Sequence, residues 1–267
     1  MSESAVRFLG KEMDKRKDLA IAACKDVGRI LLDNFGKRLR VKSKGDRDLV
    51  THIDKGAETV IIKAIKENFD EDDILSEESR YTPCGSRYKW IIDPIDGTHN
   101  FIHNIEIFGT SLALEFQGEV VLGVIYMPLT EELYLAQKGK GAYRNGKRII
   151  VSKRTLKEAT LIYDSTIRLN RRPMLRTLDG LADKVFNIRM FGSTVRSLTY
   201  LAEGKADIEV EFNDKVWDFA AGLLLVEEAG GRATDFQGRR WSTSATGYIA
   251  SNGLVHKDIL RIVKREV

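Results

Sequence analysis

The sequence predicts a layered protein of mixed helices and strands, α/β or α+β, and three observations carry that prediction. Apolar residues near the N-terminus recur at helical spacing. Between Phe108 and Val151 the texture changes to strands, and beyond Thr155 short strands and helical stretches alternate. With 267 residues, 43% hydrophobic and 31% charged, the chain can bury a full core. One compact unit over 1–267 is expected, with soft halves at 1–154 and 155–267.

Leu19, Ala23, Val27, Ile30, Leu31 and Phe35 mark an amphipathic helix that ends near Gly36. A second helix is expected after Asp54, its cap, with Val60, Ile61, Ala64, Ile65 and Phe69 on one face. Asp73–Ser76 reads as a short strand running into Glu77 and Glu78, and Trp90–Ile92 as a buried strand. Pro94 has no N–H to give a ladder, so pairing should stop there. Gly97 then permits a reversal, and Thr98 suits a helix start. Strands follow at Ser111–Phe116 and Val120–Met127, and Asn145-Gly146 joins Ala142–Arg144 to Lys147–Val151 as a hairpin. Next come strand Thr160–Tyr163, a helix near Pro173–Leu181, strand Val185–Met190 and helix Ser193–Ala202. Strand Asp207–Phe212, helix Asp218–Glu228 closed by Gly230-Gly231, strand Tyr248–Ser251 and helix Leu254–Arg261 complete the order. Arg168, Arg171 and Arg172 are expected in a mobile loop.

Asp93 and Asp96 fall just past the buried strand, where two neighbouring like charges are costly unless a proton or a cation sits between them. A hard divalent cation with oxygen ligands is the natural occupant, the carbonyl of Ile95 being a further candidate ligand. The plain alternative is an Asp-Pro-x-Asp-Gly surface turn. Three more acidic sites punctuate element ends: Glu77-Glu78, Asp218 before an apolar helix, and Asp48 ahead of the second helix. Each alone reads as solvated surface, a cap or a charged loop. Together they can converge on one cleft, as metal-assisted phosphoryl chemistry requires, with divalent ions about 4 Å apart.

Asp93-Pro94-Ile95-Asp96-Gly97-Thr98 with Asn100-Phe101, and Trp217-Asp218-Phe219-Ala220-Ala221-Gly222 with Glu228-Ala229-Gly230-Gly231, resemble the two signatures of the inositol monophosphatase family. Asp48-Leu49-Val50-Thr51, Glu77-Glu78-Ser79 and Gly139–Tyr143 extend the likeness in order along most of the chain. The resemblance implies an α+β fold, a layered α-β-α-β-α sandwich of the sugar and inositol phosphatase type, commonly a homodimer. It also implies a Mg²⁺-dependent, lithium-sensitive phosphatase that uses two or three ions per site. By that resemblance Glu77, Asp93 and the Ile95 carbonyl would hold the first Mg²⁺, Asp93, Asp96 and Asp218 the second, and Glu77 would share a weaker third. Thr98 and Asp48 would polarise the metal-activated water, Asp48 accepting from the Thr98 hydroxyl. Backbone N–H groups of Gly97 and Thr98 would receive phosphate oxygens. Glu211 falls where inositol-specific members carry a carboxylate for substrate hydroxyls, and Ser193 and Thr194 occupy the other substrate-facing segment. Without the resemblance, Glu211 could equally be an exposed strand residue, and the two hydroxyls could simply cap a helix.

The net charge of +4 suits anionic substrates and does not argue for nucleic acid as a partner. No apolar run approaches a membrane span, the start of the chain lacks a signal-peptide pattern, and two cysteines without metal spacing suit a reducing cytoplasm. His99 and His103 are expected to orient or pack, His52 and His256 to lie on the surface, and Trp217 to pack beneath Asp218. The function expected is hydrolysis of an inositol monophosphate, with fructose-1,6-bisphosphate or histidinol phosphate as alternative substrates. A different class, a regulatory adapter for RNA polymerase or RNA, is the remaining alternative.

Overall fold

The computed structural model describes residues 3–45, 48–79 and 83–267, and side chains from residue 10 onward except at 44, 45 and 48. The chain opens with helix α1 (Glu3–Asn34), the antiparallel pair β1 (Val41–Gly45) and β2 (Asp48–Thr51), and helix α2 (His52–Asn68). Strands β3 (Asp73–Ser76) and β4 (Tyr88–Asp96) lead to the short helix α3 (Thr98–Ile102). A meander follows: β5 (Gly109–Phe116), β6 (Glu119–Met127), β7 (Glu132–Gln137), β8 (Gly141–Arg144) and β9 (Lys147–Ile149). The remainder alternates as β10 (Thr160–Tyr163), α4 (Arg171–Ala182), β11 (Asn187–Arg189), α5 (Thr194–Ala202), β12 (Ile208–Glu211) and α6 (Val216–Glu228). It closes with β13 (Arg232–Thr234), β14 (Tyr248–Ser251) and α7 (His256–Glu266).

The seven strands β3 to β9 pair in sequence order, antiparallel except for β3 beside β4. Period-two alternation sends neighbouring residues of each strand to different cores. Trp90, Ile92, Leu112 and Leu114 join Ala23, Val27, Ile61 and Ile65 of α1 and α2, whereas Ile91 and Ala113 join Leu198, Leu223 and Leu224 of α5 and α6. The second sheet has order β11-β10-β12-β14-β13. Tyr248 and Ala250 face the same α5/α6 core, while Leu161, Ile208, Val210 and Ile249 meet Met174, Leu181, Ile259 and Val263 of α4 and α7. The layers therefore run α1/α2, large sheet, α5/α6, small sheet, α4/α7. This is the expected α-β-α-β-α sandwich.

Only a helix with little polar surface can fill a middle layer, and α6 buries every residue from Phe219 to Val226. Its approach to the large sheet is close because Gly123 of β6 lies under Ala221.

Several local expectations need correction. Pairing does not stop at Pro94: β4 continues to Asp96, with an irregularity between the Asp93–Ser111 and Asp96–Gly109 pairs that accommodates the missing N–H. α2 begins before Asp54, and Thr51 is its N-cap. The Thr51 hydroxyl accepts from Ile53 N (3.0 Å), while Asp54, the third helical residue, accepts from Thr51 N (2.7 Å). Arg171 and Arg172 begin α4. His256 is wholly buried at the start of α7, within hydrogen-bonding distance of Thr234 Oγ1 and Ser251 Oγ (2.9 Å each), and burial pushes its pKa down to about 4. The sequence does not announce β1, β2, β7 or β13.

A Cβ at position 123 would stand 2.8 Å from the Ala221 carbonyl oxygen and 3.0 Å from its Cα, so Gly123→Ala must push a helix backbone away from the sheet. The expected loss is about 1–3 kcal/mol, read as a lower urea midpoint. An unchanged midpoint would show that α6 is free to shift.

Candidate active site

A cleft of about 630 Å³ opens where the end of β4, the start of α5 and the start of α6 meet. Its lining includes Glu77, Asp93, Ile95, Asp96, Gly97, Thr98, Ser193, Thr194, Glu211 and Asp218, residues from β4, both middle-layer helices and the small sheet. The side chain of Asp48 lies outside the described residues, although its backbone begins β2.

The β4 irregularity turns consecutive acids of the Asp93–Asp96 run toward the cleft. Asp93 Oδ1 accepts from the Ile95 N–H at 3.0 Å, a local turn that the proline permits. Asp96 reaches across the layers: Ser193 Oγ donates to its Oδ2, while Thr194 N (3.0 Å) and Val195 N (3.3 Å) donate to its Oδ1. These groups sit at the N-terminus of α5, where unpaired N–H donors favour an anion. Asp218 sits in the first turn of α6 and accepts from Lys215 N at 2.7 Å. Gly97 adopts φ +81, and a Cβ there would lie 2.9 Å from the Ile107 carbonyl oxygen, so the reversal into α3 needs glycine. Asn100 pins that turn, its Nδ2 facing the carbonyls of Ile107 (2.9 Å), Phe191 (2.9 Å) and Gly192 (3.2 Å).

Thr98 Oγ1 has two acceptors in reach, Asp54 Oδ1 at 3.0 Å and the Ile95 carbonyl at 2.9 Å. Among the described residues, the acid that faces this hydroxyl is thus Asp54, which sequence reading took only for a helix cap. Its spacing from Thr51 signalled the cap. The contact with Thr98, 44 residues on, had no local signal.

Three further acids are gathered at the substrate-facing end of the cleft, two of which sequence reading missed. Asp164, at the end of β10, and Asp214, before α6, join Glu211 along the lining, with the buried Glu209 behind them. Thr194 Oγ1 and the Tyr248 hydroxyl donate to Asp214 (3.1 and 3.2 Å), and Asp164 accepts from Thr166 N (2.6 Å) and Phe212 N (3.1 Å). No ion pair joins Asp164, Glu209, Glu211 or Asp214 to a lysine or arginine among the described residues. The signal available was the one that singled out Asp93, an acid at the carboxyl end of a strand. Glu211 is 7% exposed and β12 is buried throughout, so the exposed-strand alternative for it fails.

Seven carboxylates line this cleft. Burial, then the charges of Glu77, Asp96 and Asp218, hold the Asp93 pKa well above the usual carboxylate range. Burial also raises Asp218 and Glu211, with Asp214 the leading charged neighbour of each. Asp96 is pushed up to about 6 by burial, against the pull of its hydrogen bonds to Ser193, Val195 and Thr194. Asp214 rises to about 8 through burial and the charge of Asp164. Among the described residues no three acids, histidines or cysteines already form a closed cage for a metal. The donor chemistry nevertheless fits a hard divalent cation: carboxylates and a carbonyl, all oxygen, crowded until added positive charge is favourable.

A sequence model of the inositol monophosphatase family matches residues 12–267. The chain belongs to this family. Fructose-1,6-bisphosphatase/inositol-1-monophosphatase of Thermotoga maritima is 36% identical over 254 residues, covering 94% of this chain and 97% of that protein. Histidinol-phosphatase of Chlorobaculum parvum is 35% identical, over 92% of this chain and 95% of its own. Nus factor SuhB of Escherichia coli is 33% identical, over 94% and 96%. Among solved structures, the extragenic suppressor protein suhB from Bartonella henselae superposes with a TM-score of 0.90 at 35% identity, covering 94% of this chain and 98% of that one. An IMPase/NADP phosphatase complexed with Mg²⁺ and phosphate gives 0.83 at 26% identity, over 94% and 95%. No helix among the described residues is long and apolar enough to cross a membrane.

The raised carboxyls predict a pH dependence. With carboxylates near 3.8, the unfolded chain has released protons that Asp96 (about 6) and Asp214 (about 8) still hold when folded. The folded state therefore binds more protons between these values, and stability falls as pH rises. In chelator, the melting temperature should drop from pH 5 toward pH 8, with Asp214→Asn flattening the upper part and saturating Mg²⁺ reducing the slope. A melting temperature that climbs over this range would contradict the assigned charge crowding.

Proposed function

We propose that the protein is a Mg²⁺-dependent phosphomonoesterase that hydrolyses inositol monophosphate by in-line attack of water. The observation that carries this reading is the convergence of Glu77, Asp93, Asp96 and Asp218 beside the Thr98 hydroxyl in one cleft. Glu77, Asp93, Asp96, Asp218 and the Ile95 carbonyl would hold Mg²⁺, which when bound supplies positive charge to the phosphate and to the attacking and departing oxygens. The backbone N–H groups of Gly97 and Thr98 receive phosphate oxygens. α3 has only five residues, so these individual donors matter more than a helix dipole. Thr98 orients the attacking water and its hydroxyl faces Asp54 Oδ1 at 3.0 Å, so the step is assigned to Thr98 with Asp54, while the side chain of Asp48, which the family resemblance pairs with Thr98, lies outside the described residues. Glu211, Ser193 and Thr194 face the leaving group, Glu211 accepting hydrogen bonds from its hydroxyls. Catalysis then rests on alignment and charge neutralisation, without a covalent phosphoenzyme.

The three acids at the far end of the cleft favour a second reading. A leaving group that carries an ammonium or imidazolium would neutralise Asp164, Glu211 and Asp214, as histidinol phosphate would, and the likeness to histidinol-phosphatase agrees. The likeness to Nus factor SuhB raises an adapter role, but a pure adapter has no use for so many buried acids around one cleft.

Phosphate release from inositol 1-phosphate, fructose 1,6-bisphosphate and histidinol phosphate, measured side by side, tests the readings. Inositol 1-phosphate should give the highest kcat/KM, and preference for histidinol phosphate would select the second. Asp93→Asn should abolish turnover of every substrate while the protein stays folded, and full activity would remove the site. Glu211→Ala should raise KM for inositol phosphate more than for a small aryl phosphate. Equal effects would make Glu211 structural.

A further inference from the structure

We propose that His99 and His103 form a binding site for a borderline transition-metal ion, of the Zn²⁺ or Ni²⁺ kind, on the exposed face of α3. The site uses nitrogen ligands where the cleft offers oxygen, and it stands whether or not the protein is a phosphatase.

Spacing sets up the pair. His99 and His103 are four residues apart, so one helical turn places them on the same face. α3 ends at Ile102 and His103 is its C-cap, so the turn just reaches the second ring. The buried residues between the histidines hold that turn in place. Asn100 faces three carbonyls, and Phe101 packs against Phe35 (ring centroids 5.8 Å apart) and Phe108 (4.9 Å). The exposed face is left to the histidines, whose stacked rings lie 4.2 Å apart and 22° from parallel.

The chemistry of the rings then selects the ion. His103 Nδ1 lies 2.8 Å from the His99 carbonyl, which can only accept, so Nδ1 donates and carries the proton. In the neutral ring Nε2 therefore keeps its lone pair, the tautomer that a carbonyl partner fixes in metal-binding histidines. Neither nitrogen of the His99 ring has a protein hydrogen-bond partner among the described residues. Two imidazole nitrogens on a tetrahedral Zn²⁺ lie about 3.4 Å apart, given bonds of about 2.0–2.1 Å. Exposed rings already 4.2 Å apart can reach that spacing by rotating, with the backbone at rest. Imidazole suits Zn²⁺, Ni²⁺ and Cu²⁺, whereas Mg²⁺ keeps to oxygen. Among the described residues no third acid, histidine or cysteine completes a cage, so water takes the remaining positions around a bound ion. His99 also lines the cleft and adjoins Thr98, so an ion held here clamps the turn that carries Thr98.

Calorimetric titration of the tag-free, full-length protein with Ni²⁺, in enough Mg²⁺ to occupy the cleft acids, tests the site. One ion should bind per chain. His99→Ala and His103→Ala should each weaken binding about 100-fold, because either loss reduces a chelate to a single ligand. The double variant should lose little more than either single one. Asp93→Asn, His52→Ala and Cys84→Ser remove a cleft acid, another exposed histidine and the exposed thiol. Each should leave the affinity within about twofold. Cu²⁺ gives a readout that needs no variant to fold. Its electron paramagnetic resonance spectrum should show two coupled imidazole nitrogens in the native protein. Absence of Ni²⁺ binding, full affinity in both single variants, or loss of the site in Asp93→Asn, His52→Ala or Cys84→Ser would overturn the proposal. A native Cu²⁺ spectrum without imidazole coupling would do the same.

Discussion

Crowded negative charge is the constraint on which this molecule is arranged. Asp93, Asp96 and Asp218 all have raised pKa values because burial, and then the charges of neighbouring acids such as Glu77, disfavour ionisation. A fold that brings them together must supply donors or leave room for a cation, and it does some of both. Asp96 is served by a hydroxyl and two N–H groups of α5, and Asp218 by the Lys215 N–H. Each donor belongs to a helix start, where such groups would otherwise lack partners. The same interactions that soften the repulsion therefore also fasten the middle layer to the large sheet.

The expected architecture was legible because its causes are local. Hydrophobic spacing marked α1 and α6, and the Asn145-Gly146 turn joined β8 to β9 as read. The Asp93–Thr98 run declared an interruption, since proline and glycine act on the backbone wherever they occur. Whether the strand ends or bulges at Pro94 depends instead on β5, whose Gly109 pairs with Asp96 beyond the irregularity. His256 shows the same limit. Nothing near it in sequence says that Thr234 and Ser251 will flank its ring in a buried corner.

The acids illustrate why part of a site stays hidden. Asp54 had a complete local explanation as a capping residue, and that explanation is correct for one of its oxygens. The other oxygen faces Thr98, a relation made only when α2 packs beside the β4 turn. Asp164 and Asp214 were overlooked because each sits alone in a short connection, and their proximity arises from the pairing of β10 with β12. A side chain with two acceptor atoms can serve the helix and the site at once, so a sufficient structural role does not argue against a chemical one.

The position of the middle layer finally decides which acids meet. α6 can bring Asp218 to the end of β4 only if its backbone rests almost on the sheet, and Gly123 beneath Ala221 provides that approach. α5 must in turn lie close against α6, which Gly222 allows by leaving space for Leu198. A larger residue at either glycine would separate the helix starts from β4 before it disturbed any acid directly. The cleft is thus set by apolar contacts well removed from its chemistry. The polar groups then refine an alignment that close packing of small residues has already imposed.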